Sequence, residues 1–236
     1  MKILGIDSSG MTATVAVLED DKLLAEYTIN HKKTHSQTLV PMLDEIKKMT
    51  ELDLDSLDAI AIAAGPGSFT GLRIGSATAK GLGLALDKPL VPVSTLEGLA
   101  MNAWGYDGLV CPIMDARRDQ VYTGVFRFVN GKLERVMEDT AESVTDLIGQ
   151  LEGFNEKVLF LGDGVPVFKE TIDSSLKVSH EYAPAHMSRQ RAGALAALAA
   201  VYLEQGKTES AADHRPEYLR PSQAERVKAE RECDQK

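Results

Sequence analysis

The chain is poor in cysteine: Cys111 and Cys233 are the only two in 236 residues. They match no metal-ligand spacing and supply no disulfide framework, so both read as free thiols of a reducing compartment. Cationic charge is also in deficit. A net charge of −9 argues against autonomous nucleic-acid binding, which draws most of its affinity from cations set against phosphate. No apolar run reaches the length of a membrane span; the longest candidate, Ala192 to Val201, is mostly alanine. The first residues run straight into a strand pattern, without the basic region and long apolar stretch of a secretory signal. The expectation is a soluble, cytoplasmic protein of one large or two small domains, with no membrane partner.

The most informative stretch is Gly65-Pro66-Gly67-Ser68-Phe69-Thr70-Gly71-Leu72-Arg73-Ile74-Gly75. It follows a short apolar strand, Ala59 to Ala64, and opens a helix rich in small residues. Glycines between a strand and a helix mean close backbone approach, a tight turn, or an anion at the helix N-terminus. No Lys follows at P-loop spacing, and Thr70 stands where a dinucleotide fingerprint has its third glycine. Pro66 has no N–H to offer a phosphate. A turn seating the helix tightly on a sheet is the leading reading. Phosphate binding that uses Gly65, Gly67, Ser68 and Thr70 is the alternative.

Within that helix Gly71, Gly75, Ala79 and Gly83 recur at i, i+4 and share one face, with Gly81 and Ala85 on the neighbouring row. An interior glycine costs about 1 kcal/mol relative to alanine, so Gly75, Gly81 and Gly83 together cost roughly 3 kcal/mol. Close helix packing, within the chain or against a partner helix, is the expected compensation. Arg73 and Lys80 exclude a membrane helix pair.

Three strands come first, Lys2 to Ser8, Thr12 to Leu18 and Lys22 to Ile29, joined by short turns. A helix follows over 36–49, with Leu39, Met42, Leu43 and Ile46 as its apolar stripe. Then come the strand before the glycine loop, the glycine helix over 71–86, a strand at Leu90 to Val93 and a helix capped by Ser94. The order is βββαβαβα. The second half begins the same way at Leu109 to Asp115, Gln120 to Phe128 and Lys132 to Met137. It continues in shortened form, with helical signals at Val144 to Leu151 and Val165 to Ile172 around a strand at Lys157 to Leu161. Asp7 and Asp115 close the first strand of each half, and a Lys-Leu pair follows each hairpin. The pattern implies an N-terminal domain over 1–105 and a reduced C-terminal domain over 106–189. An alanine-rich helix over 190–205 is expected to pack back on the first domain, before a partly mobile tail over 206–236.

A duplicated βββαβαβα unit marks the α/β fold of the actin/hexokinase/sugar-kinase (ASKHA) superfamily, here with a reduced second domain. In that fold the aspartate ending the first strand, here Asp7 beside Ser8, orients nucleotide phosphate or metal. A turn aspartate bonding the following backbone is the equal alternative.

Specific residues then narrow the reading. Ile6-Asp7-Ser8-Ser9, His35-Ser36-Gln37 leading into Leu39-Val40-Pro41, the Gly65 to Gly75 run, Val91-Pro92-Val93-Ser94-Thr95-Leu96 and the Pro216-Glu217-Tyr218-Leu219-Arg220 tail together resemble the TsaB (YeaZ) family along essentially the whole chain. The resemblance implies a non-catalytic subunit of the machinery that forms N6-threonylcarbamoyladenosine beside the anticodon of tRNAs reading codons that start with A. It implies a TsaD-like subunit and a TsaE-like ATPase as partners, a homodimer where TsaD is absent, and tRNA contact through the complex. No intrinsic cofactor is implied; ATP or ADP enters only in the complex. TsaD-like proteins carry a metal-binding His-x-x-x-His after the next strand. The matching run here is Thr95-Leu96-Glu97-Gly98-Leu99. Leucine cannot ligate a metal and threonine seldom does alone, so no metal site is expected.

His31-Lys32-Lys33-Thr34-His35 is a second His-x-x-x-His, but it leaves a strand before its helix begins, and solvated loop histidines are expected. His180, His186 and His214 are scattered. No nucleophile arrangement stands out, so no catalytic residue is assigned. The expected partner surface joins Leu39, Met42, Leu43 and Ile46 to Gly71, Leu72, Arg73, Gly75, Ser76, Ala79 and Gly83. The competing reading is a metal- or ATP-dependent enzyme in its own right.

Overall fold

The computed structural model describes residues 1–31 and 33–220; Cys233 and Lys32 lie outside them. Strands β1 (Lys2–Asp7), β2 (Ala13–Glu19) and β3 (Lys22–Ile29) form an antiparallel meander. Helix α1 (His35–Thr50) leads through a short 3₁₀ turn to β4 (Ala59–Gly65), which pairs parallel with β1. Helix α2 (Phe69–Leu86) and β5 (Leu90–Ser94) complete a five-stranded sheet of order β3-β2-β1-β4-β5, and α3 (Thr95–Met101) ends the unit.

The second half repeats this arrangement. Its elements are β6 (Leu109–Asp115), β7 (Gln120–Val129), β8 (Lys132–Ser143), α4 (Val144–Phe154), β9 (Val158–Leu161), α5 (Val165–Ser175), β10 (His180–Tyr182) and α6 (Ala192–Glu204). The sheet order β10-β9-β6-β7-β8 is the same order read from the other edge. Reduction is visible in β9 and β10, which are 4 and 3 residues long.

Burial follows from the patterns. All residues of β4 are buried, as befits a central parallel strand covered on both faces. On one face, α1 and α2 close a core in which Leu39, Met42, Leu43 and Ile46 meet Leu4, Val15, Val17 and Ile62. On the other, α6 packs across β1, β2, β4 and β5. Gly5 makes this possible, since a Cβ there would lie 2.6 Å from Ala192 O. Helix α3 crosses to the second sheet, where Leu96, Leu99 and Ala100 meet Val110, Met114 and Phe126. The last helix of each unit therefore lies in the middle layer, between the two sheets.

The described part of the tail expected to be partly mobile is built into the fold, and residues 221–236 lie outside the described residues. Glu209 forms a two-way backbone bridge with Leu90, and Ala211 sits in the core under α2.

Candidate functional site

The glycine helix decides where a partner can touch. Ser68 caps it, its Oγ accepting from Gly71 N at 3.3 Å. A Cβ on Gly71 would lie 2.1 Å from Ser8 O, one on Gly75 2.5 Å from Ser8 Oγ, and one on Gly83 2.7 Å from Ala211 Cβ. Ala79 is fully buried between them. The row Gly71, Gly75, Ala79 and Gly83 thus packs on β1, β4 and the tail. This corrects the expected partner surface: Leu39, Met42, Leu43, Ile46, Gly71, Leu72, Gly75, Ser76, Ala79 and Gly83 all face the chain's own interior. Of that set only Arg73 is exposed.

Solvent receives the neighbouring row. Thr70, Arg73, Ala77, Gly81, Leu84 and Ala85 are exposed on α2, and Val40 and Pro41 on α1 beside it. Leu84 is 63% and Val40 58% exposed, and nothing lies within 4 Å of a Cβ added at Gly81. The sequence signal that separates the rows is Arg73. A cation four residues before Ala77 and eight before Gly81 marks that row as the wet one.

The proposed phosphate residues also have other work. Asp7 is buried and accepts from Ser9 N at 2.8 Å and Ser9 Oγ at 2.6 Å. Desolvation pushes its pKa up to about 6, against the opposing pull of the Ser9 bonds. Asp115 repeats the turn in the second unit, accepting from Arg117 N at 2.8 Å. Ser8 Oγ donates to Gly71 O at 2.9 Å. A Cβ on Gly67 would lie 2.4 Å from Ser9 O, and one on Gly65 2.2 Å from Glu217 O. These glycines admit backbone carbonyls, whose negative ends repel phosphate. Asp7, Ser8, Gly65 and Gly67 therefore do not fit a phosphate cradle. Gly67, Ser68 and Thr70 do line an interdomain cleft of about 480 Å³, facing Asp115 and Arg117 across it.

The run matching the metal motif is closed. Thr95 and Leu99 have no exposed surface. Ser94 Oγ accepts from Leu96 N and Glu97 N and donates to Asp139 across the domain boundary. Glu97 pairs with Arg135 at 3.0 Å and accepts from Tyr202 OH at 2.8 Å. Burial raises the Asp139 pKa, while Ser94 and Arg135 oppose the shift. Ser94 and Glu97, which flank Thr95 in this run, thus join an ionic knot with Arg135, Asp139 and Tyr202 between the two units. The second His-x-x-x-His is also apart: His31 is exposed, while His35 starts α1 and its Nε2 meets Gly10 O at 2.8 Å.

The residues the sequence reading missed are in the tail, which forms a strap along α2. His214 is 1% exposed, with Nε2 2.9 Å from Ser76 Oγ and Nδ1 against the Glu209 carboxylate. Lys80 Nζ donates to the carbonyls of Ala212 and His214. Glu217 N donates to Ala64 O at 2.7 Å. Tyr218 packs on Phe69 with ring centroids 4.8 Å apart, and Arg220 donates to Ala116 O at 2.7 Å in the second unit. The signal was the run Arg215 to Arg220, which is too aromatic and proline-bound for a solvated tail.

Two units of one strand order, an aspartate turn ending the first strand of each and a cleft between them define the duplicated actin/hexokinase-like class. A family profile described as TsaD, tRNA N6-adenosine threonylcarbamoyltransferase, matches residues 22–228. The chain is 39% identical over 228 residues to the tRNA threonylcarbamoyladenosine biosynthesis protein TsaB of Bacillus subtilis (strain 168), covering 95% of this chain and 96% of that one. It is 30% identical to the TsaB of Haemophilus influenzae, covering 93% and 94%. A Pseudomonas aeruginosa crystal structure described as similar to peptidase YEAZ superposes with a TM-score of 0.75 at 25% identity, covering 93% of this chain and 99% of that one. The chain belongs to the TsaB family.

Proposed function

We propose that this chain is a non-catalytic subunit in the formation of N6-threonylcarbamoyladenosine on tRNA, and that it docks on a TsaD-like subunit through the outward faces of α1 and α2. The observation that carries the reading is the wet row of α2. Ala77, Gly81 and Ala85 are an exposed row of small residues, a shallow trough beside exposed Leu84, a shape that admits a partner helix at short distance. The same face pairs two copies of the chain when the TsaD-like subunit is absent. A TsaE-like ATPase completes the assembly, ATP or ADP binds only there, and tRNA is reached through the complex in the cytoplasm. The buried Thr95 and Leu99 support a role without metal in this subunit, rather than independent enzyme action.

Reconstitution tests this. Threonine, bicarbonate, ATP, the threonylcarbamoyl-adenylate synthase, TsaD, TsaE and tRNA are combined with and without this chain, and modified adenosine is read by mass spectrometry. Modification is expected to require the chain, to survive Asp7→Asn, and to be lost with Ala77→Arg although that variant folds. Modification that proceeds without the chain would sink the reading.

A further inference from the structure

We propose that Arg73 is a preorganised cation of the docking face, held by the C-terminal strap and aimed at a carboxylate of the partner subunit; the proposal rests on the docking reading above. The Arg73 guanidinium lies 4.0 Å over the Phe69 ring. Tyr218 packs against that ring from the strap, and its hydroxyl accepts from Arg73 Nε at 3.3 Å. The contact uses Nε, and among the described residues neither terminal nitrogen of the fork has a partner, the arrangement a carboxylate engages with two parallel bonds.

Arg73 is exposed, yet it has no carboxylate partner among the described residues. Arg117, Arg127, Arg135 and Arg191 do, while Arg189 and Arg220, also without one there, donate to backbone carbonyls instead. Helix α2 contains no aspartate or glutamate, in a chain whose net charge is −9. Holding a long side chain in one geometry costs rotamer entropy. Here an aromatic stack supplies that order, and among the described residues no ionic partner uses the fork. The fork stands at the N-terminal end of the trough formed by Ala77 and Gly81. A trough of small residues on α2 with Arg73 as that helix's one exposed cation fits a protein helix carrying an acid; a nucleic-acid backbone calls for several cations. Tyr218 is thus a positioning residue, acting through Arg73.

The test is binding of the full chain to the TsaD-like subunit of the same organism at low and high salt. Arg73→Ala is expected to weaken binding at least tenfold at low salt and to flatten the salt dependence. Tyr218→Ala is expected to weaken it severalfold in the Arg73 background and to have no effect in the Arg73→Ala background. Arg73→Lys is expected to rescue poorly, because an ammonium reproduces neither the stack nor the fork. An unchanged salt slope in Arg73→Ala, or additive losses in the double variant, overturns the proposal. Ala77→Arg separates the two claims. Intact binding in that variant removes the docking face itself, whereas abolished binding beside an inert Arg73→Ala removes the anchor alone. Intact subunit binding with loss of tRNA retention in Arg73→Ala also overturns the proposal and assigns the cation to RNA.

Discussion

A methyl group on Gly75 would lie 2.5 Å from the hydroxyl of Ser8, and that hydroxyl is fastened to Gly71 O. Neither atom can retreat without breaking the junction of β1 and α2. Gly75→Ala is therefore expected to destabilise by about 1–3 kcal/mol, in the range of overpacked cores, and Gly75→Leu to prevent folding. Gly81→Ala, on the open face, is expected to stabilise by up to about 1 kcal/mol through helix propensity. Urea midpoints of both alanine variants check this. Equal effects at the two positions would contradict the assignment of the rows.

Asp7 gives the molecule a pH dependence of definite sign. Its folded-state pKa of about 6 lies above its ordinary value of 3.8. The folded state then holds the proton more tightly, so its contribution is complete below pH ~4 and lost as pH rises through ~6, about 3 kcal/mol in all. Asp7→Asn keeps an acceptor for Ser9 and carries no charge. It is expected to gain stability over the parent at about pH 8 and to lose that advantage near about pH 4. Denaturant titrations of both proteins across this range measure the difference, and a gap independent of pH refutes the buried-carboxylate account.

His214 fastens the strap under α2. His214→Ala leaves Ser76 without its imidazole partner and opens a cavity, for an expected loss of about 2–4 kcal/mol. Hydrogen exchange is expected to rise along residues 209–220 and in the paired Leu90 amide. Unchanged protection there would show that the strap is held by other contacts.

The ionic knot at α3 is expected to resist single deletions less well than its partial exposure suggests. Tyr202→Phe removes a hydrogen bond to the charged Glu97 and should cost about 1–2 kcal/mol. Glu97→Gln leaves Arg135 short of one of its carboxylates and should cost more. Thermal unfolding of the two variants gives the order, and the reverse order would place the strain elsewhere.

The order of elements along the chain and the duplication were legible because each rests on local signals. Short apolar runs bounded by turn residues mark β1 to β3, Ser94 caps α3, and Asp7 and Asp115 end strands at matching places. Which row of α2 is exposed was not legible. Two rows of small residues run along α2, and Gly75 and Gly81 look alike in one dimension although one meets Ser8 and the other meets nothing. The strap was missed because its partners, Ala64, Phe69, Ser76 and Ala116, lie more than 90 residues away along the chain.

Side-chain chemistry, periodicity and turn residues thus determined the class of fold and the repeated unit. Which face of α2 is wet, what the loop glycines admit and where the tail lies were decided only in the folded chain. Each depends on which distant atom occupies a given few ångströms of space, and local sequence carries no record of that.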